Sequence, residues 1–232
     1  MIDAHLLVAV GGAATKDPSE DTEDRASRRL LDAALQEAAI VGLQRITVED
    51  VVRRAGVSRM TAYRRYPRRD DLVAVTLEDL SQTLLARQDL EGALEHQQRA
   101  LASFEETLGP SHPYVATSRL NLADVLKARG DLEGAGEMLL RALAIFEGAH
   151  EVDHPHMGAT WATLGEVRRQ QGRLDEAREA LERALVHFEA TFGPSHPDTA
   201  KVLTTLGSVL GAQGRYDEAL AHHRRALASF EE

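Results

Sequence analysis

A 42-residue period runs through the last two-thirds of this 232-residue chain and limits what it can fold into. Gly130-Asp-Leu, Gly172-Arg-Leu and Gly214-Arg-Tyr stand 42 apart. The same step links Ala93, Ala135, Ala177 and Ala219, then Ala100, Ala142, Ala184 and Ala226. It also links Phe104, Phe146, Phe188 and Phe230, and the His-Pro pairs at His112, His154 and His196. Columns repeated over three or four copies mean one small unit stacked on itself, each copy burying its apolar face on the next. Within a unit the apolar residues recur at helical spacing: Trp161, Leu164 and Val167, then Ala177, Leu181, Ala184 and Leu185 in a second helix from Asp175 to Phe188. The glycine between them ends the first helix, because it takes the left-handed turn without a Cβ penalty. Alanine fills the columns where two helices approach closely, and six of the seven prolines fall in the linker or the loops between units. The expected class is therefore all-α, a solenoid of about four helix pairs over residues 73–232.

These residues resemble the tetratricopeptide family. The third copy carries the pattern best, with Trp161, Leu164, Gly165, Ala177, Leu181 and Ala184. The 42-residue length and the loop motif Gly-Pro-Ser-His-Pro look like the kinesin-light-chain type. Where that family usually has tyrosine in the first helix, Leu84, Leu126, Arg168 and Leu210 stand here, and Arg168 makes the local packing an open question. The resemblance implies a concave groove for an extended protein or peptide partner. Asn121, Thr163 and Thr205, which share one helical phase, and nearby Arg169 and Lys201 are its candidate contacts; a merely solvated groove is the alternative.

The stretch before the repeats has a different character. The net charge of −10 hides a split: residues 24–72 hold 11 arginines against 7 acids, whereas residues 73–232 hold 15 basic residues against 25 acids. From Val51 to Arg69 there are seven arginines and no acid. Three short helices can be read from Arg25 to Tyr66. Leu30, Leu31, Ala34, Leu35 and Ala38 give the first its apolar face, and Gly42 ends it. Thr47 caps a second helix running to about Ala55, Gly56-Val57-Ser58 makes a turn, and Ser58 caps a third, Arg59–Tyr66, that Pro67 stops. A short arginine-rich helix fits the DNA major groove, where guanidinium reads guanine and flanking arginines neutralise phosphates. The alternative is that these arginines only solvate a face.

The run from Thr47 through Ala55-Gly-Val-Ser58, Thr61-Ala-Tyr63 and Tyr66-Pro-Arg-Arg69 to Leu72 resembles the DNA-binding region of the tetracycline-repressor (TetR) family. That resemblance implies that Arg59, Met60, Thr61 and Tyr63 face base edges or nearby phosphates. It implies that Thr47, Arg65 and Arg69 hold the backbone, with Ser58 and Arg64 in the same interface. Tyr66 is expected in the core. Residues 25–72 are thus read as a helix-turn-helix domain, residues 1–24 as a disordered tail or the product of a misplaced start, and residues 73–232 as the repeats. Val73–Arg87 aligns with Val115–Arg129 at the 42-residue offset, so one helix is expected to close the head and open the first repeat.

Other chemistry finds little support. The chain has no cysteine, which removes disulfides, thiolate metal sites and cysteine nucleophiles. His150, His154 and His156 lie close together, but His154 belongs to the repeated His-Pro column, which assigns it to loop packing; no metal and no cofactor is expected. No enzyme motif occurs, and no apolar run approaches the roughly 20 residues of a membrane span. The expectation is a cytoplasmic bacterial transcription regulator that binds double-stranded DNA, with repeats for a protein partner or a homodimer. An interaction scaffold with a weakly binding head and a small-molecule-sensing repressor are the alternatives. No capping helix follows the last repeat, so Leu220, Leu227 and Phe230 are expected to lack part of their packing, which points to either self-association of this end or a truncated reading frame.

Overall fold

The computed structural model describes residues 18–41, 45–148 and 155–229. Among these there are eleven helices and no strand. The chain divides into two compact units, Met1–Pro110 and Ser111–Glu232.

The first unit contains α1 (Pro18–Val41), α2 (Val48–Ala55), α3 (Arg59–Arg65), α4 (Arg69–Ala86) and α5 (Leu90–Leu108). Helix α1 begins at Pro18, so residues 18–24 are helical where a tail was expected; residues 1–17, Gly42 and the Ala38 side chain lie outside the description. One core joins the first four helices. Leu30, Ala33 and Ala34 of α1 meet Val48, Val51, Val52 and Ala55 of α2, Ala62 of α3, Tyr66, and Leu72 of α4. Tyr66 is buried in this core, as the sequence indicates. Helix α4 packs on α1 at this end and along α5 on the rest of its length. The Ser81 hydroxyl donates to the Ala93 carbonyl at 2.8 Å, and the Arg68 guanidinium donates to the Thr107 carbonyl at 2.8 Å. Ala93, Ala100 and Phe104 of α5 are buried.

The second unit is three helical hairpins: α6 (Pro113–Ala128) with α7 (Leu132–Gly148), α8 (Pro155–Gln170) with α9 (Leu174–Phe192), and α10 (Pro197–Ala212) with α11 (Tyr216–Ala228). Helix α9 starts one residue before the sequence boundary and runs four residues past it. Each hairpin turns on the glycine column, Gly130, Gly172 and Gly214, with φ of 84°, 76° and 78°. The following amide donates back to the Leu126, Arg168 or Leu210 carbonyl at 2.9 Å, which closes the helix end. The alanine columns are buried in every hairpin, and Phe146 and Phe188 with them. Each fully buried Phe or Leu here contributes on the order of 2 kcal/mol. In the His-Pro loops, His112 and His196 N-cap α6 and α10, their Nδ1 atoms accepting from the Tyr114 and Asp198 amides at 3.2 Å. His150 and His154 lie outside the described residues.

Arg168 finds its place through a small neighbour. It is 8% exposed, its guanidinium lies over Gly136 of α7, and it pairs with Glu176 at 3.1 Å while donating to Gln171 at 2.8 Å. Leu143 and Leu185 are buried, whereas Leu227, their counterpart in α11, is 61% exposed; Leu220 is exposed too, and Phe230 lies outside the description.

Candidate nucleic-acid interface

The helix-turn-helix is built by local hydrogen bonds that its sequence supplies. Thr47 has extended backbone and its Oγ1 accepts from the Asp50 amide at 3.1 Å, capping α2. Gly56, at φ 63°, closes α2 with its amide on the Val52 carbonyl. Ser58 then caps α3: its Oγ accepts from the Thr61 amide at 3.0 Å and shares a 2.7 Å hydrogen bond with the Thr61 hydroxyl. Ala62 and Tyr66 anchor α3 inward. Their inward packing leaves Met60, Tyr63 and Arg64 on the outer side, and Arg59, the first residue of α3, is exposed at its start. Met60 is 82% exposed and Tyr63 40%, and Ser58, Arg59, Arg64 and Arg65 are exposed as well, with Thr61 half-buried. The predicted contact residues of α3 are thus exposed apart from half-buried Thr61, and Thr47 is exposed at the start of α2.

The seven arginines between Val51 and Arg69 divide into two groups. Four pair with groups outside α3. Arg53 pairs with Asp50 at 3.0 Å and Arg54 with Glu37 at 2.7 Å. Arg68 grips Asp71 at 2.9 Å besides its bond to Thr107. Arg69 donates from Nε to the Ile46 carbonyl at 2.8 Å and reaches Asp70 at 3.2 Å. Arg69 thus ties the start of α4 to the segment that leads into α2. The other three, Arg59, Arg64 and Arg65, are those of α3, and Arg64 too has an interaction within the chain.

An acid that the sequence count from Val51 misses stands beside this surface. Glu49, in the first turn of α2, accepts the Tyr63 hydroxyl at 2.5 Å. That bond holds the Glu49 carboxyl below its usual range and pushes the Tyr63 phenol up. Arg59 is near enough for its charge to act on both.

Residues 72–148 and 156–232 match the family model for the tetratricopeptide repeat. The chain belongs to that family. Residues 30–76 match the model for bacterial regulatory proteins of the tetR family, so this tetratricopeptide-repeat protein carries a TetR-type N-terminal domain. The two matches overlap on residues 72–76, inside α4. Among solved structures, the fold is similar to BtubC (BKLC) from P. vanneervenii, at 21% identity and TM-score 0.65 over 93% of this chain and 92% of that one. It is also similar to a putative kinesin light chain of nearly identical TPR-like repeats from Podosopora anserina, at 21% identity and TM-score 0.60, covering 88% and 95% of the two chains. No curated protein matches it. The matched families are regulatory and interaction types. Among the described residues no helix is long and apolar enough to cross a membrane.

The candidate groove residues of the repeats differ in exposure and in their partners. Asn121 is 4% exposed, Thr163 is half-buried, and the Thr205 hydroxyl donates to the Lys201 carbonyl at 3.1 Å. Lys201 and Arg169 are exposed, but each is held by a carboxylate: Lys201 by Asp198 at 2.9 Å, Arg169 by Glu166 at 2.7 Å. Burial pushes the Glu166 carboxyl up, yet the hydrogen bonds from Arg169 and Gln170 outweigh it and leave the group below its usual range.

Proposed function

We propose that this tetratricopeptide-repeat protein is a bacterial, cytoplasmic DNA-binding transcription regulator of TetR type, whose repeats receive a protein partner or build a homodimer in place of a ligand-binding domain. The observation that carries the reading is the capped, outward α3, with Arg59, Met60, Tyr63, Arg64 and Arg65 on the solvent side and Ala62 and Tyr66 fixing its orientation. Arg59 is assigned to a guanine edge, Thr61 to a neighbouring base or phosphate, Tyr63 to a neighbouring base, and Thr47, Ser58, Arg64 and Arg65 to the backbone. Arg69 acts on the backbone with whatever donors its bond to Ile46 leaves. Helix α4 serves as the last helix of the head and the first of the repeats, in keeping with its packing on both α1 and α5. Lys201 and Arg169 are assigned to a partner's carboxylates, which would compete with Asp198 and Glu166 for them.

The second reading, an interaction scaffold with a head that binds DNA weakly, draws on the four arginines already satisfied within the chain. Purified protein challenged with genomic fragments separates the two. Retention of a few fragments as salt is raised supports the regulator. Equal, salt-sensitive binding to all of them supports the scaffold.

A further inference from the structure

Two acids open α2, and they do different things. Asp50 turns back on its own helix, accepting the Thr47 hydroxyl at 2.6 Å and pairing with Arg53 at 3.0 Å. Glu49 crosses to α3 and takes the Tyr63 hydroxyl. It is half-exposed, and it sits next to the face assigned to DNA. A carboxylate there opposes binding to any phosphate, so its presence needs a purpose.

The chemistry of the pair narrows that purpose. A phenol has one proton to give. Once that proton points at Glu49, the Tyr63 oxygen can only accept, and the carboxylate can only accept. Phosphate oxygens are acceptors too, so the pair as it stands cannot serve a phosphate. The donors that DNA presents in the major groove are the exocyclic amino groups, N4 of cytosine and N6 of adenine. Adenine sets its N7 acceptor beside that amino group, where it would face the carboxylate; cytosine has no acceptor there.

We infer that the Glu49–Tyr63 pair is a specificity element that accepts the N4 amino group of a cytosine next to the base read by Arg59. The inference rests on the regulator reading. Glu49 fixes the phenol, aims two acceptors at one amino group, and repels every sequence that offers no donor there. Discrimination then comes partly from a penalty on wrong sites. Arg59 supplies the neighbouring positive charge that keeps the carboxylate ionised at the DNA surface.

The test is selection from a random DNA pool by the full chain and by Glu49→Ala, followed by binding to the selected duplex and to unrelated DNA. The wild type should enrich a cytosine at one position. Glu49→Ala should lose that preference alone, by about 5- to 150-fold for a contact of this kind, while binding unrelated DNA more tightly than the wild type does. A purely structural Glu49 would instead lower the melting temperature and weaken every position alike, which overturns the proposal. Unchanged preferences in Glu49→Ala, or adenine enriched in place of cytosine, overturn it as well. A wild type that enriches nothing removes the regulator reading itself. In that case, ultraviolet titration of the tyrosines still tests the pair, because Glu49→Ala should let one phenol ionise at lower pH.

Discussion

Arg65 and Arg69 belong to one basic run in the sequence, yet the structure gives them different roles, and alanine at each position separates these. Arg65 is exposed at the end of α3; Arg69 donates to the carbonyl of Ile46, a residue with 1% exposure. Each phosphate contact contributes about 0.9 to the slope of log K against log salt. Between about 50 and 200 mM salt, one contact fewer then narrows the gap between wild type and variant by about 3.5-fold. Arg65→Ala should show that narrowing on every DNA sequence, with an unchanged melting curve. Arg69→Ala should cost stability. A charged hydrogen bond is worth about 1.5–3 kcal/mol, and solvent access to a side chain 38% exposed cuts that to about 1. Its DNA affinity should fall on all sequences as the segment before α2 loosens. Fluorescence anisotropy at the two salt concentrations, beside thermal melts, reads both effects. If Arg65→Ala leaves affinity and slope untouched while Arg69→Ala leaves the melt untouched, the division of the arginines is wrong.

Three further outcomes follow from the packing. Gly165→Ala would set a Cβ 2.6 Å from buried Leu181 and 3.2 Å from the Ala177 carbonyl, whereas Gly207→Ala meets only the exposed His223 ring at 2.7 Å. Each gains about 1 kcal/mol of helix propensity, but overpacking of about 1–3 kcal/mol at Gly165 should reverse the sign there, so urea denaturation should show Gly165→Ala weakened and Gly207→Ala strengthened. Gln88 occupies the column of Gly130, Gly172 and Gly214 and shares their left-handed backbone at φ 63°. Gln88→Gly should raise stability by up to about 1 kcal/mol, and an unchanged or lower melting temperature would remove the strain assigned to that turn. Burial first, then Arg225, holds His222 below the ordinary histidine range. The folded form thus resists a proton that the unfolded chain accepts, and the stabilising contribution, full above the ordinary histidine range, is lost as pH falls through it. His222→Gln should flatten the stability profile between about pH 7.5 and 5.5, which denaturation at stepped pH would show.

The repeat was legible because its signal is many residues deep. Ala135, Ala177 and Ala219 share a column in the chain and burial in the fold, and the glycine turns follow from backbone sterics alone. The head was legible for the same kind of reason, since Thr47, Gly56 and Ser58 act on groups three or four residues away. What could not be read is where long side chains end. Arg54 finds Glu37, Arg69 finds Ile46 and Arg68 finds Thr107, across 17, 23 and 39 residues. No local pattern reports such partners, so a count of arginines overstated the charge left for DNA. Glu49 escaped because its partner, Tyr63, comes from the next helix. The groove candidates differ in exposure for another reason. The first helix of each repeat is packed on more than one side: α8 lies against both α7 and α9. Helical phase alone therefore does not separate its solvent side from its core side, and Asn121 turned out to be buried.

The central claim, that the outward side of α3 engages base edges, is tested most directly by comparing affinities for selected and unrelated DNA in the wild type and Arg59→Ala. Loss of about 1–3 kcal/mol on the selected duplex, with a much smaller change on unrelated DNA, is the outcome this structure calls for. Equal affinity of both proteins for both DNAs would contradict it.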